Sequence, residues 1–272
     1  MIVAIDTGGT KTLVAGYDES GAVVVQHKFP TPKKTTEYID AVSTHLVALF
    51  SEKPVTAISL AVPGIVRDGV AVHCPNLGWE NFPVAEELRG VLGDVPIFLE
   101  NDANLAGLAE ARTLPEPVRA CLYVTISTGI GSGIIIDGHI DAGLSHSEAG
   151  HALIEYDGIV RQWESFASGR AIFEAYKKMG KDIKSRRTWM QIADRISRGF
   201  LAVIPILQPE VIVIGGSMGT HFEKYEAYLN AILEEKLPRM ITTPRIVQAQ
   251  HPEEAVIYGC YYYALDQLAD AS

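Results

Sequence analysis

Ile2-Val3-Ala4-Ile5-Asp6-Thr7-Gly8-Gly9-Thr10-Lys11 opens the chain as a short apolar strand that breaks into two glycines. The way the chain continues from this break decides the fold. Thr12 to Tyr17 and Ala22 to His27 flank the turn signal Asp18-Glu19-Ser20-Gly21, so two further strands form a hairpin behind the first. A helix is predicted from Thr35 to Phe50, where Ile39, Val42, Leu46 and Leu49 recur at helical spacing and Thr35 or Thr36 serves as N-cap. A strand from Val55 to Val62, a short helix from Val84 to Leu92, a strand from Val95 to Leu99 and a helix through Ala111 complete a mixed sheet with helical crossovers, an α/β arrangement.

The pattern then restarts. Ala120 to Ile126 reads as a buried strand, broken by Thr128-Gly129-Ile130-Gly131-Ser132-Gly133, and Ile134 to Ile140 carries a hairpin at Asp137-Gly138. Helices are predicted over Ser168 to Met179, Trp189 to Leu207, His221 to Lys236 and Glu253 to Leu268, with strands at Val211 to Ile214 and Arg245 to Gln248. A strand, a glycine break and a hairpin at the head of each half imply a duplicated unit. The expected division is residues 1–115, residues 116–252, and a last helix over 253–272 packing back on the first half.

Composition narrows the function. A hydrophobic share of 47% with 21% charged residues suits a globular chain that buries a core. The net charge of -10 disfavours a nucleic-acid partner, whose phosphates would be repelled. Cys74, Cys121 and Cys260 form no CxxC pair, so neither a disulfide framework nor a thiolate zinc site is legible. No run of eighteen apolar residues argues for a membrane span, and residues 1–6 lack a basic leader, so a cytoplasmic setting is expected.

The glycine breaks are the first candidates for chemistry. Adjacent Gly8 and Gly9 permit unusual backbone angles and let a large anion approach the N–H groups. Thr10 adds a hydroxyl and Lys11 a charge, while Asp6 is suited to a hydrated magnesium ion. A tight turn capped by an aspartate explains the same residues equally well. Thr128 and Gly129 repeat the device. Neither break fits G-x-x-x-x-G-K-[ST], and no G-x-G-x-x-G joins a strand to a helix near the N-terminus. Two phosphate-sized loops, one per half, suit a nucleoside triphosphate. Gly215 and Gly216, after a strand, suit a flat base or merely close packing.

Asn101 and Asp102 stand where a strand end meets a helix start. Asp102 is there as a helix cap or as a general base toward a substrate hydroxyl. Glu148, His151 and Glu164 lie in a region of poor periodicity, and carboxylates with an imidazole suit a polyol. Asn76, in the turn Asn76-Leu77-Gly78-Trp79, is a turn former or a ligand contact.

Together these segments resemble the ROK family of sugar kinases and sugar-responsive repressors. The similarity is carried by Asp6 to Lys11, Leu99 to Glu110, Thr128 to Gly133, Glu148 to His151 and Glu164 to Gly169, in the family's order. It implies a two-lobed actin-like ATPase (ribonuclease H-like) fold with duplicated mixed-sheet domains and the active site between the lobes. It implies ATP-dependent phosphorylation of a hexose 6-hydroxyl, most naturally glucose, with Asp102 as base. Asn101, Glu148, His151, Glu164 and, less centrally, Asn76 would hold the sugar. Asp6, Gly8, Gly9, Thr10, Lys11, Thr128 and Gly129 would face phosphates and magnesium, and Gly215 and Gly216 the nucleoside.

Alternatives under the same resemblance are polyphosphate as donor, another hexose (mannose, fructose or an N-acetylhexosamine), or a non-catalytic sugar-binding regulator. The first loop begins at residue 6, so the helix-turn-helix that family repressors carry before it is not expected. A homodimer is implied. Between His151 and Glu164 many relatives carry a cysteine-rich zinc loop. Here Ala152 to Trp163 is short and holds no cysteine, so no zinc is expected, and Tyr156 and Trp163 are expected to hold His151 instead.

Overall fold

The computed structural model describes residues 1–251 and 254–270. The chain divides into two units, one of Met1–Ala109 together with the chain from Glu254 onward, the other of Glu110–Glu253.

The first unit begins with β1 (Ile2–Thr7), β2 (Lys11–Tyr17), β3 (Val23–Pro30), α1 (Thr35–Phe50) and β4 (Ala57–Val62). Three short strands come next, β5 (Ile65–Arg67), β6 (Val70–Cys74) and β7 (Trp79–Phe82), then α2 (Val84–Glu87), β8 (Ile97–Asn101) and α3 (Asp102–Arg112). The main sheet has the order β3-β2-β1-β4-β8. Its first three strands are antiparallel, and β4 and β8 join β1 in parallel. Strands β1 and β4 are buried almost throughout, as central strands covered on both faces must be. Tyr38, Val42, Leu46 and Phe50 recur every four residues on α1 and form its buried stripe. The C-terminal helix Ala255–Asp270 packs on β1 and β4. A Cβ at Gly259 would lie 1.9 Å from the Leu105 carbonyl oxygen, so glycine is what lets this helix touch α3.

The second unit contains β9 (Ala120–Ile126), β10 (Ile130–Ile136), β11 (His139–Ile140), β12 (Leu153–Tyr156) and β13 (Ile159–Gln162). It continues with α4 (Glu164–Ala167), α5 (Gly169–Tyr176), α6 (Arg186–Leu207), β14 (Val211–Gly215), α7 (Gly216–Gly219), α8 (Glu226–Lys236) and β15 (Arg245–Gln248). The sheet order is β11-β10-β9-β14-β15. Again three strands are antiparallel and two continue in parallel. The two sheets therefore share one topology, and each begins with a strand, a glycine break and a returning strand. The second core gathers Trp163, Phe166, Trp189 and Phe200 against β9 and β14.

Several sequence expectations change. The helix expected to reach Leu92 ends at Glu87, because Gly90 and Gly93 take positive φ (80° and 87°). The helix expected over 221–236 is a 3-10 turn, Phe222–Lys224, followed by α8. The cap of α1 is Lys34, which makes no side-chain capping bond, rather than Thr35 or Thr36. Gly131 and Gly133 lie inside β10 and not in the break before it. Glu253, the expected first residue of the last helix, lies outside the described residues. The sheet β5-β6-β7 and the hairpin β12-β13 are additions. Each turns on an Asp-Gly pair, Asp68-Gly69 (φ 51° and 76°) and Asp157-Gly158 (φ 55° and 76°), the left-handed pairing that two-residue hairpins prefer.

Candidate functional site

In the first unit the glycine break lies between β1 and β2. Gly8 N–H donates to the Lys11 carbonyl at 3.0 Å, and Thr31 Oγ1 donates to the Gly8 carbonyl at 2.7 Å. Thr31 also meets Thr12 Oγ1 at 2.9 Å, so the end of β3 braces the loop. Neither glycine has a positive φ, contrary to the expected unusual angles. Their need is space: a Cβ on Gly8 would lie 3.1 Å from the Lys11 oxygen, and one on Gly9 3.2 Å from the Asn76 oxygen. Asn76, itself exposed, therefore sits in a turn that abuts the first loop. Thr10 and Lys11 are exposed. Lys33, which no sequence motif singles out, donates from Nζ to the Gly9 carbonyl at 3.0 Å. It follows Pro32, just beyond the end of β3.

Asp6, near the end of β1, is half-buried, and burial raises its carboxyl to about 6 against the opposing pull of Lys28. A magnesium ion takes one or two carboxylates and otherwise phosphate and water oxygens. Asp6 fits that demand, since a nearby cation would favour the ionised form that burial penalises.

The strand-to-helix junction is built by Asn101. Its Oδ1 accepts from the N–H groups of Ala103 (2.8 Å) and Asn104 (3.1 Å), and its Nδ2 donates to the Gly64 carbonyl at 2.9 Å. Asn101 is thus the side-chain cap of α3 and also fastens the turn after β4. Most of its hydrogen-bonding capacity is taken within the chain, which leaves one Nδ2–H for the sugar contact expected of it. Asp102, half-buried, is the first residue of α3, and its Oδ1 accepts from Ala103 N–H at 2.8 Å. Cys74 lies close enough for the Asp102 charge to help burial push its thiol up to about 12. An acidic group at a helix N-terminus is favoured by the helix dipole.

In the second unit Ser127 N–H closes on the Gly129 carbonyl at 2.9 Å, with Thr128 exposed at the tip. Glu164, heading α4, lays its carboxylate over this loop: Oε2 accepts from Ile130 N–H at 3.2 Å. A Cβ on Gly129 would come within 2.7 Å of that oxygen. A 3-10 turn over Ala149–His151, with Glu148 as its N-cap residue, is pressed on β10. Ser132 Oγ donates to the Ser147 carbonyl and accepts from Ala149 N–H at 3.1 Å. A Cβ on Gly150 would meet the Ile130 oxygen at 2.1 Å, so only glycine allows the turn this close. Burial raises the Glu148 carboxyl, His151 opposes that and Glu164 adds to it. The three sugar candidates of this unit therefore converge at one end of β10.

His151 is not held by Tyr156 and Trp163 as expected. Tyr156 stacks on Phe166 at 4.5 Å, and Trp163 packs edge-on against Phe200. The partner of His151 Nδ1 is Gln162 Nε2 at 3.2 Å. Gly215 and Gly216 lie against β9. A Cβ would reach Tyr123 Oη at 2.3 Å from the first, and the Ile126 oxygen at 2.7 Å from the second. Close packing requires glycine at both positions, and Gly216 also takes a positive φ of 72°. Among the described residues, no group of three or more His, Cys, Asp or Glu side chains is arranged to hold a metal ion. Nor is any described helix long and apolar enough to cross a membrane.

Known proteins resemble this chain over most of its length. The hexokinase of Thermus thermophilus is 27% identical, with a TM-score of 0.79 over 99% of each chain. The Streptomyces griseus glucokinase, solved with glucose and AMPPNP, has a TM-score of 0.77 over 95% of this chain and 97% of its own, at 23% identity. The N-acetylmannosamine kinase of Salmonella typhi is 31% identical over 257 residues, 84% of this chain and 87% of that protein. The ROK family profile matches residues 2–267, and with that match the chain belongs to the ROK family.

Proposed function

We propose that the protein transfers the γ-phosphoryl group of ATP to the 6-hydroxyl of a hexose, with glucose as the first acceptor to test. The observation that carries this reading is Asp102, a carboxylate at a strand-to-helix junction whose capping role is already filled by Asn101. Asp102 accepts the hydroxyl proton as the sugar oxygen attacks phosphorus, and the proton ends on its carboxylate. Glu148, His151 and Glu164 hold the other hydroxyls, joined by Asn101 through its Nδ2 and by Asn76. The Gly9, Thr128 and Gly129 amides, with Thr10 and Lys11, receive phosphate oxygens, while Gly8, whose N–H is held by the Lys11 carbonyl, shapes the first loop. Gly215 and Gly216 lie beside the nucleoside. Magnesium, when bound with the nucleotide, neutralises phosphate charge, and Asp6 would hold it through water. A homodimer in the cytoplasm completes the reading, and sedimentation would measure the oligomer.

The N-acetylmannosamine kinase relative favours a second acceptor class, the N-acetylhexosamines. A coupled assay of glucose, mannose, fructose and N-acetylmannosamine, each with ATP or polyphosphate, separates these readings. Asp102→Asn is expected to lower kcat by about a thousandfold or more while sugar binding by calorimetry persists. Turnover near wild type would remove Asp102 as the base.

A further inference from the structure

We infer that Gln162 is a positioning residue for His151, fixing the tautomer in which Nδ1 is an acceptor and Nε2 carries the proton. This rests on the reading of His151 as a sugar contact. The starting observation is the 3.2 Å contact from the Gln162 amide nitrogen to His151 Nδ1. An amide N–H has only one role there, to donate, so the ring nitrogen facing it must hold a lone pair. In a neutral imidazole the proton then sits on Nε2.

An exposed glutamine loses rotamer freedom to hold such a pose, so its backbone must be fixed by other means. Here both sides of the contact are tied. Leu153 pairs with Gln162 in the β12-β13 ladder, and Trp163 N–H donates to the Ala152 carbonyl at 2.9 Å. His151 and Gln162 thus project from adjacent, hydrogen-bonded chain segments. Trp163, the residue after Gln162, is fully buried, and a Cβ at Gly199 would fall 2.0 Å from its ring. The Asp157-Gly158 turn closes the far end of the hairpin. Hairpin, ladder and buried tryptophan together aim one amide at one ring nitrogen.

The consequence is chemical. With Nδ1 occupied, the other edge of the ring offers an N–H donor. A sugar oxygen can be met there as an acceptor, whereas the neighbouring Glu148 and Glu164 carboxylates accept from sugar hydroxyls. The three side chains then read the donor and acceptor pattern of a polyol rather than its charge.

The test uses protein labelled with 15N-histidine, with the His151 signals assigned by loss in His151→Ala. In resting wild-type protein at pH 8, long-range proton–nitrogen spectra are expected to show Nδ1 unprotonated and Nε2 protonated. Gln162→Ala should give a mixture of tautomers. Gln162→Glu, which presents an acceptor, should move the proton to Nδ1. In kinetics, Gln162→Ala should raise the hexose KM about fivefold and leave the ATP KM unchanged, the size of one lost hydrogen bond. A protonated Nδ1 in the wild type, or the wild-type tautomer surviving in both variants, overturns the assignment. The resting-state spectra involve no turnover, so an enzyme that phosphorylates no hexose but keeps the assigned tautomer would sink the kinase reading and leave Gln162 in place.

Discussion

The two glycine loops occupy the same position in two sheets of the same topology, yet the charged side chains bonded to them differ in sign, Lys33 at the first and Glu164 at the second. The loop at Gly8 and Gly9 is braced by neutral hydroxyls of Thr12 and Thr31 and touched by the Lys33 ammonium. The loop at Gly129 lies under the carboxylate of Glu164. A phosphate is welcomed by the first setting and repelled by the second unless another charge intervenes. A duplicated scaffold conserves its hydrogen-bond ladder because backbone geometry demands it. It does not conserve what side chains bring to the loop. The second loop is thereby joined to Glu164, and a change in either must be felt by the other.

Three variants would break or sharpen that contrast. Gly129→Ala should have the largest effect. Its backbone has no positive φ, so the new methyl acts by evicting the Glu164 carboxylate rather than by straining the chain. The hexose KM should rise about tenfold or more, the scale of a lost charge-assisted hydrogen bond. If steady-state kinetics moved only the ATP KM, the two loops would be equivalent after all. Lys33→Ala should raise the ATP KM roughly threefold, and the effect should shrink above about 0.5 M salt because the ammonium is exposed. An effect indifferent to salt would mean that Lys33 acts by bracing the loop.

Asp6→Asn should give the smallest change, read in stability. The folded carboxyl is raised from 3.8 to about 6, so the folded state holds its proton more tightly than the unfolded chain. Stability from this group is present at low pH and is lost as pH rises from about 4 to about 6. The variant should therefore melt a few degrees above wild type at pH 8 and gain less at pH 4. Equal gains at both pH values would show that burial of the charge is not the cause.

Much of the fold was legible from residues because the deciding patterns are local. Ile2–Thr7 and Ala120–Ile126 are apolar runs ended by glycine, and such runs announce central strands without help from distant partners. The ladder and helix order followed from them. The hairpin at 153–162 was not read, although Asp157-Gly158 carries the turn signal, because Leu153, Ile159 and Val160 are apolar yet exposed, so residue type does not follow the faces of the strands. The role of Asn101 as cap was hidden for another reason. Asp102, a good capping residue, stands beside it, and only the geometry of two N–H groups on one oxygen separates the neighbours. Lys33 and Gln162 reach their partners across sheet and hairpin, and no motif spacing encodes contacts of that range.

Asn101 also binds three fates into one. A single primary amide starts the α3 turn, ties down Gly64 and stands directly before the aspartate that heads the helix. Replacing it by aspartate keeps an oxygen for the helix but loses the donor to Gly64, and alanine loses both. Drift at this codon therefore reaches both the fastening of Gly64 and the start of the helix that Asp102 heads, so the turn and the base proposed above would change together.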